Sequence, residues 1–194
     1  MGQKNNPLDS KKKSATVKAE KAAKFDDGNP HLRKLAKMIK DIRIAMMTTV
    51  EPDGVLKSRP MATMWHDDKD LGRHLWFFTT IESGKVRSIF HDQHVSISYV
   101  DSESERYASL TGRAISVNDK AKMKELWNPL LKAWFPKGLE DPQICLLRVD
   151  LESGEIWQSP GKIAKMLDYG EALLRGKPVQ TTVSSERFNL LPQH

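Results

Sequence analysis

Ser58-Arg59-Pro60-Met61 and, further along, Trp76-Phe77-Phe78-Thr79-Thr80 leading into Ser83-Gly84-Lys85 are the stretches on which the reading of this chain turns. The first is a strand that carries an arginine. The second is a strand that ends in two hydroxyl residues and enters a helix through a serine, a glycine and a lysine. Unpaired N–H groups and positive potential gather at a helix N-terminus, so such a junction suits a phosphate. An arginine from a neighbouring strand can close on the same anion. The sequence therefore points to a phosphorylated ligand held on a β scaffold.

Outward from these stretches, the chain reads as strands joined mostly by tight turns. Residues 42–50 and 55–64 form a hairpin about Glu51-Pro52-Asp53-Gly54, with glycine where a positive φ is tolerated. Residues 66–73 are a polar loop, 74–80 a third strand with apolar residues on both faces, and 82–91 a short helix. Residues 94–100 and 107–117 make a second hairpin. Asn118-Asp119 opens a helix expected to run to Trp134, with Leu126, Leu130 and Trp134 on one stripe. A last hairpin is expected from 143–151 and 155–158 about Glu152-Ser153-Gly154, and 160–175 reads as helical. Ahead of all these, Asn29-Pro30 opens a helix with Leu32, Leu35, Ala36 and Ile39 on one face. Strands and helices do not alternate as a parallel sheet requires. The expected fold is mainly β, an antiparallel barrel with flanking helices.

With 194 residues the chain can build one domain with a real core. Its net charge is +6, but residues 1–24 hold seven lysines against Asp9 and Glu20, so five of those charges sit there. Residues 1–28 have almost no large apolar side chain and are expected to be a disordered Lys-rich tail. The folded domain is expected over 29–175, with 176–194 an extension of unassigned structure. A solvated tail is the plainer reading of the lysines, and contact with nucleic acid is the alternative. The single cysteine, Cys145, lies in Ile144-Cys145-Leu146-Leu147, the setting of a packed core thiol rather than a reactive one. No apolar run has transmembrane length and none follows the start as a signal peptide would, so a cytoplasmic location is expected.

Each candidate residue has a second reading. Alternation puts Lys57, Arg59 and Met61 on one face and Ser58 and Pro60 on the other. The proline marks an irregular or edge strand, so Arg59 is either a ligand cation or a surface arginine. Ser83 is either part of an anion site or only an N-cap. Lys85 weakens the second choice, because a cation is unfavourable at a helix N-terminus unless an anion is present. Trp157 either stacks on a planar ring or plugs the barrel end. His91 and His94 straddle a helix end and a strand start, and no metal site is expected.

These pieces, together with Trp134-Phe135-Pro136-Lys137-Gly138 and Ile156-Trp157-Gln158-Ser159-Pro160-Gly161, resemble the general stress protein branch of the pyridoxamine 5′-phosphate oxidase-like, FMN-binding split-barrel family. The match runs in order from about residue 30 to 165. The resemblance implies a six-stranded antiparallel split β-barrel working as a homodimer, with FMN, or alternatively FAD, at the subunit interface. It implies cofactor contacts from Ser58, Arg59, Pro60, Met61, Phe78, Thr79, Thr80, Ser83, Lys85 and Trp157, with Arg59 and Lys85 facing the phosphate. Three departures stand out. Gly84 replaces the second basic residue of the oxidase phosphate loop, so the cofactor site is expected to be mostly rather than fully kept. Met64 occupies the place of a substrate-holding lysine in the true oxidases. Gln158-Ser159-Pro160-Gly161-Lys162 follows Trp157 where those enzymes carry a basic segment. The cofactor site is thus expected and the vitamin B6 substrate site is not.

The function expected is that of a flavin-binding general stress-type protein, an oxidoreductase on a small molecule if it turns over at all. No residue stands out as a catalytic acid or base. The alternatives are a non-catalytic flavin carrier or stress sensor and, through the tail, a nucleic-acid-associated protein. The apolar strand 75–78 and the aromatic segment 127–135 hold more apolar surface than a small barrel's interior needs. The excess is expected to close the two-fold dimer.

Overall fold

A computed structural model describes residues 29–64, 72–160, 172–174, 176 and 184–192. The expected tail at 1–28, most of the 66–73 loop and most of the 160–175 helix lie outside the described residues. Helix α1, Pro30–Asp41, starts as its sequence demands. The Asn29 side chain accepts from the His31 and Leu32 N–H groups, and Pro30 needs no donor partner at the first position. Leu32, Leu35, Met38 and Ile39 form its buried face.

Seven strands follow: β1 Ile44–Val50, β2 Leu56–Met64, β3 His74–Thr80, β4 His94–Asp101, β5 Arg106–Val117, β6 Ile144–Gln158 and β7 Ser184–Asn189. Helix α2, Gly84–His91, links β3 to β4, and α3, Lys120–Leu126, follows β5. All pairings are antiparallel, in the order β3-β2-β1-β4-β5-β6-β7, and β6 also pairs back to β3. Six strands thus close a barrel, and β7 is added beside the second half of β6.

The β2–β3 seam is short. Among the described residues only Thr63↔Phe77 and Met64↔Trp76 pair across it, and the rest of β2 has no strand neighbour on that side. Thr63 donates its N–H toward β1, to the Arg43 carbonyl. Alternation then turns the donorless Pro60 nitrogen toward the open side, where its missing hydrogen costs nothing. The barrel is therefore split between β2 and β3, and the edge that Pro60 announces is real.

Two apolar clusters hold the structure. Leu75, Phe77, Ile97, Tyr99, Leu110, Leu147 and Val149 fill the interior together with the face of α1. Buried Tyr99 exchanges a 2.7 Å hydrogen bond with Thr63 there. The second cluster lies on the other face of β3 and β6, where Phe78, Ile144 and Leu146 meet Met123, Leu126 and Leu131. Phe78 makes an edge-on contact with Trp127 at 5.5 Å and a tilted one with Phe135 at 6.3 Å. Most of the apolar surface expected to close a dimer is thus used within one chain, although Leu130 and Trp134 stay exposed.

Two expectations are corrected, and part of the unassigned extension gains a structure. The helix after Asp119 stops at Leu126 rather than Trp134. Pro129 disfavours helical backbone at Asn128, so Trp127 and Asn128 are extended. The chain then resumes as a 3-10 turn, Pro129–Ala133, capped by the Asn128 side chain. The expected hairpin at 143–158 is one continuous strand, β6. Glu152 is an extra residue between the pairs Thr111↔Ser153 and Gly112↔Leu151, so the polar triplet marks a bulge and not a turn. Gly154 is needed for close packing, since a Cβ there would stand 2.6 Å from both Leu110 and Phe188. Finally, part of the extension 176–194 is strand β7, and Phe188 is buried in the interior cluster. No helix among the described residues is long and apolar enough to cross a membrane.

At the β4–β5 turn, Asp101 accepts from Arg106 at 2.6 and 3.1 Å and from the Ser104 N–H at 3.1 Å. Arg106 also reaches Asp41 at the end of α1. The Arg106 hydrogen bonds bring the Asp101 carboxyl down from its ordinary value to about 2. A depressed carboxylate stabilises the fold above its unfolded pKa and loses that effect as pH falls through the folded one. The urea midpoints of the parent and Asp101→Asn should therefore differ at pH 5 and converge as pH falls toward 2. A gap that persists unchanged at the acid end would mean that ionisation of Asp101 is not what matters.

Candidate functional site

The split in the barrel gathers the chemistry. Arg59 lies on the stretch of β2 that has no β3 neighbour, and the turn leading into α2 stands beside it. Its NH1 donates to Thr49 Oγ1 at 2.8 Å and more weakly to the Lys57 carbonyl at 3.4 Å. Its NH2 donates to Glu51 Oε1 at 2.7 Å. A Cβ built on Gly84, the first residue of α2, would lie 3.7 Å from that same NH2. The guanidinium therefore stands beside the helix N-terminus.

Across the gap, Lys85 Nζ donates to Thr79 Oγ1 at 2.9 Å, and Thr79 Oγ1 lies 3.2 Å from Ser83 Oγ. The Ser83 hydroxyl makes no capping bond to α2, so the reading of Ser83 as a helix cap alone fails. Burial pushes the Lys85 ammonium below its usual range, and the nearby Arg59 charge adds to the effect. Two cations set against each other at an uncapped helix start create a demand for negative charge.

The sequence candidates divide here. Arg59, Thr79, Ser83 and Lys85 come together. The Thr80 carbonyl accepts from the Ser83 N–H at 3.1 Å and shapes the turn into the helix. Pro60 and Met61 lie on the open edge, with Pro60 exposed and Met61 buried inward. Three candidates do not join them. Ser58 points to the outer face and bonds Thr48 Oγ1 at 2.8 Å. Phe78 is occupied by packing in the second cluster. Trp157 lies on β6 twelve residues beyond Cys145, the register partner of Thr79. Along the strand it stands well away from Thr79. Instead it pairs with Tyr107 and Ser185.

Three residues of the site escaped the sequence reading: Thr49, Glu51 and Ser88. Thr49 was legible in principle. Turn geometry sets the hairpin register, and Met47↔Arg59 and Thr49↔Lys57 put Thr49 and Arg59 on one face. Glu51 was read only as part of a turn, and Ser88 only as a helix position. Ser88 is fully buried, and its hydroxyl lies 2.9 Å from both Glu51 Oε1 and the Gly84 carbonyl oxygen, so its one proton is shared between the two acceptors. Hydrogen bonds from Arg59 and Ser88 hold the Glu51 carboxyl below the usual carboxylate range. Cys145 is buried close to Lys85, and burial pushes its thiol up, as a core thiol behaves. Among the described residues no group of His, Cys, Asp and Glu is placed to hold a metal.

Protein bli-3 of Neurospora crassa is 34% identical over 146 residues, which cover 70% of this chain and 69% of that protein. The crystal structure of the general stress FMN/FAD binding protein from Xanthomonas citri is 29% identical, with a TM-score of 0.58 over 66% of this chain and 87% of its own. A Clostridium acetobutylicum protein related to general stress protein 26 gives a TM-score of 0.61 over 82% of this chain and 94% of its own. Its 18% identity makes that a likeness of fold. The family model for pyridoxamine 5′-phosphate oxidase-like proteins matches residues 30–180. On the closed antiparallel barrel, and on a match that spans most of its length, this chain belongs to the pyridoxamine 5′-phosphate oxidase-like family.

Proposed function

We propose that this protein is a stress-type flavoprotein that holds FMN by its phosphate between Arg59, Lys85 and the start of α2. The observation that supports this reading is the charge surplus at the split. Arg59 has Glu51 opposite it, while among the described residues Lys85 bonds only the Thr79 hydroxyl. A phosphate monoester carries about −1.5 to −2 at neutral pH and suits this surplus. FMN ends in such a group and FAD does not, which favours FMN. The Xanthomonas citri neighbour is described as FMN/FAD binding, in keeping with this class of ligand.

A bound flavin supplies one- or two-electron transfer between a reduced donor and a small acceptor. The chain's own part is to bind and orient it. Arg59 and Lys85 neutralise the phosphate, the open backbone at Pro60 and Met61 borders the gap, and among the described residues no side chain is assigned there as an acid or base.

We also propose that the site is completed by a second copy of the chain. Ile44, Met46 and Leu56 are exposed on the outer face of β1 and β2, and Val100 on β4. Ile44 pairs with Ala62 and Met46 with Pro60, so this apolar surface borders the split. A two-fold contact there would let Trp157 of one copy approach the flavin of the other.

The test begins with the spectrum of the purified protein and a titration with FMN. One flavin per chain and a light-scattering mass twice that of one chain are expected. Failure to bind FMN would refute the flavin reading, and a monomer holding FMN tightly would refute the shared site. Anaerobic addition of NADH or NADPH then separates an oxidoreductase, whose flavin band bleaches, from a carrier, whose band persists. Pyridoxine 5′-phosphate should not be oxidised in air beyond a free-FMN control. Its phosphate needs a cationic pocket of its own, and Met64 is instead packed against the second apolar cluster. Steady formation of pyridoxal phosphate would show that such a pocket exists.

A further inference from the structure

We infer that Glu51 is a positioning residue which aims Arg59 at the anion site, with Ser88 as its anchor. This inference rests on the proposed phosphate site and goes beyond it by assigning its supporting groups. Arginine has five donors on a plane, and where that plane points decides whether it can grip an anion. Here the plane is fixed from behind. Thr49 and the Lys57 carbonyl take the two hydrogens of NH1, and Glu51 Oε1 takes one from NH2. The Nε hydrogen and the second on NH2 are left among the described residues, and NH2 is the nitrogen beside Gly84.

Glu51 is itself held. Its Oε1 accepts from Ser88 Oγ, and Ser88 is a fully buried polar side chain on the inward face of α2. One carboxylate oxygen thus ties the β1–β2 turn, the β2 arginine and helix α2 together. A change in the position of α2 is felt at Arg59 through two hydrogen bonds. Glu51 also sets an opposing effect, because it is an anion near the place an anion must enter. Positioning calls for its oxygen as an acceptor, whereas repulsion calls only for its charge. Glutamine keeps the first and removes the second, so the two effects are separable.

The test measures FMN and riboflavin affinities in parallel, since riboflavin lacks the phosphate. Glu51→Ala should weaken FMN by about tenfold, the effect of loosening one charge-assisted contact, and leave riboflavin within about twofold. Glu51→Gln should bind FMN at least as well as the parent. Unchanged or tighter FMN binding by Glu51→Ala would overturn the inference, since repulsion would then outweigh positioning. Equal loss for FMN and riboflavin, or a glutamine variant as weak as the alanine one, would overturn it as well. If Glu51→Ala does not fold, Ser88→Ala replaces it, with the same FMN-selective loss expected. Arg59→Ala run alongside separates this from the parent reading. A selective FMN loss in Arg59→Ala but not in Glu51→Ala sinks the positioning role alone. No selective loss in Arg59→Ala sinks the phosphate site itself.

Discussion

If FMN is held as proposed, Arg59→Ala should lower its affinity by about 10- to 150-fold and leave riboflavin nearly unchanged, the largest effect on binding expected from a single substitution. A hydrogen bond to a charged group contributes about 1.5–3 kcal/mol, and each 1.4 kcal/mol is tenfold in affinity. Arg59 is the side chain fixed against the α2 N-terminus, so losing it removes a preorganised contact rather than a mobile surface charge. The upper end of the range is favoured. Without the guanidinium, Glu51 would keep its carboxylate near the proposed phosphate site, with only Ser88 bonded to it among the described residues. Lys85→Met should act in the same direction. Its effect should not add to that of Arg59→Ala, because the two cations share one anion. Isothermal titration of the two ligands at fixed salt measures all of this. If FMN and riboflavin fall together, Arg59 shapes the barrel and does not face the phosphate.

The largest effect on stability is expected at a residue with no part in the chemistry. Gly112 lies on β5 beside the bulge at Glu152 and pairs with Leu151. A Cβ there would overlap the Asp150 carbonyl oxygen and stand 3.0 Å from its carbon and 3.2 Å from Leu151 Cα. All three are backbone atoms of the strand that closes the barrel, so no side chain can swing aside. Gly112→Ala must open the β5–β6 ladder locally and should cost about 3 kcal/mol or more, read from the urea midpoint. Gly54→Ala is the control. Gly54 has φ of 82° but nothing within 4 Å of its would-be Cβ, so the cost is only that of the left-handed backbone, about 1–2 kcal/mol. If the two variants are equally stable, the close approach at the bulge relaxes more easily than its backbone partners suggest.

Local rules carried the reading of this chain a long way. Asn29-Pro30 starts α1, Gly54 turns the first hairpin, and the bounds of β3 follow from its apolar run, because each depends on residues within a few positions. The open edge of β2 is written in Pro60, which cannot donate to a ladder. The pairing of Arg59 with the hydroxyl-rich start of α2 was also legible, because both lie in short stretches whose chemistry is unusual for a strand and a helix N-terminus. Where local signals compete, the reading went astray. The stripe through Leu126, Leu130 and Trp134 suggests one helix, yet Pro129 acts on the residue before it and ends α3 early. Glu152-Ser153-Gly154 has the composition of a turn. Which of turn or bulge it becomes depends on β5 lying alongside, and on Phe188, far away in sequence, filling the space above Gly154. Only tertiary structure could decide that Phe78 is used in packing, that Trp157 pairs with Tyr107 and Ser185, and that Glu51 and Ser88 stand behind Arg59. Those facts depend on the register and closure of the barrel, which bring together residues that no spacing along the chain relates.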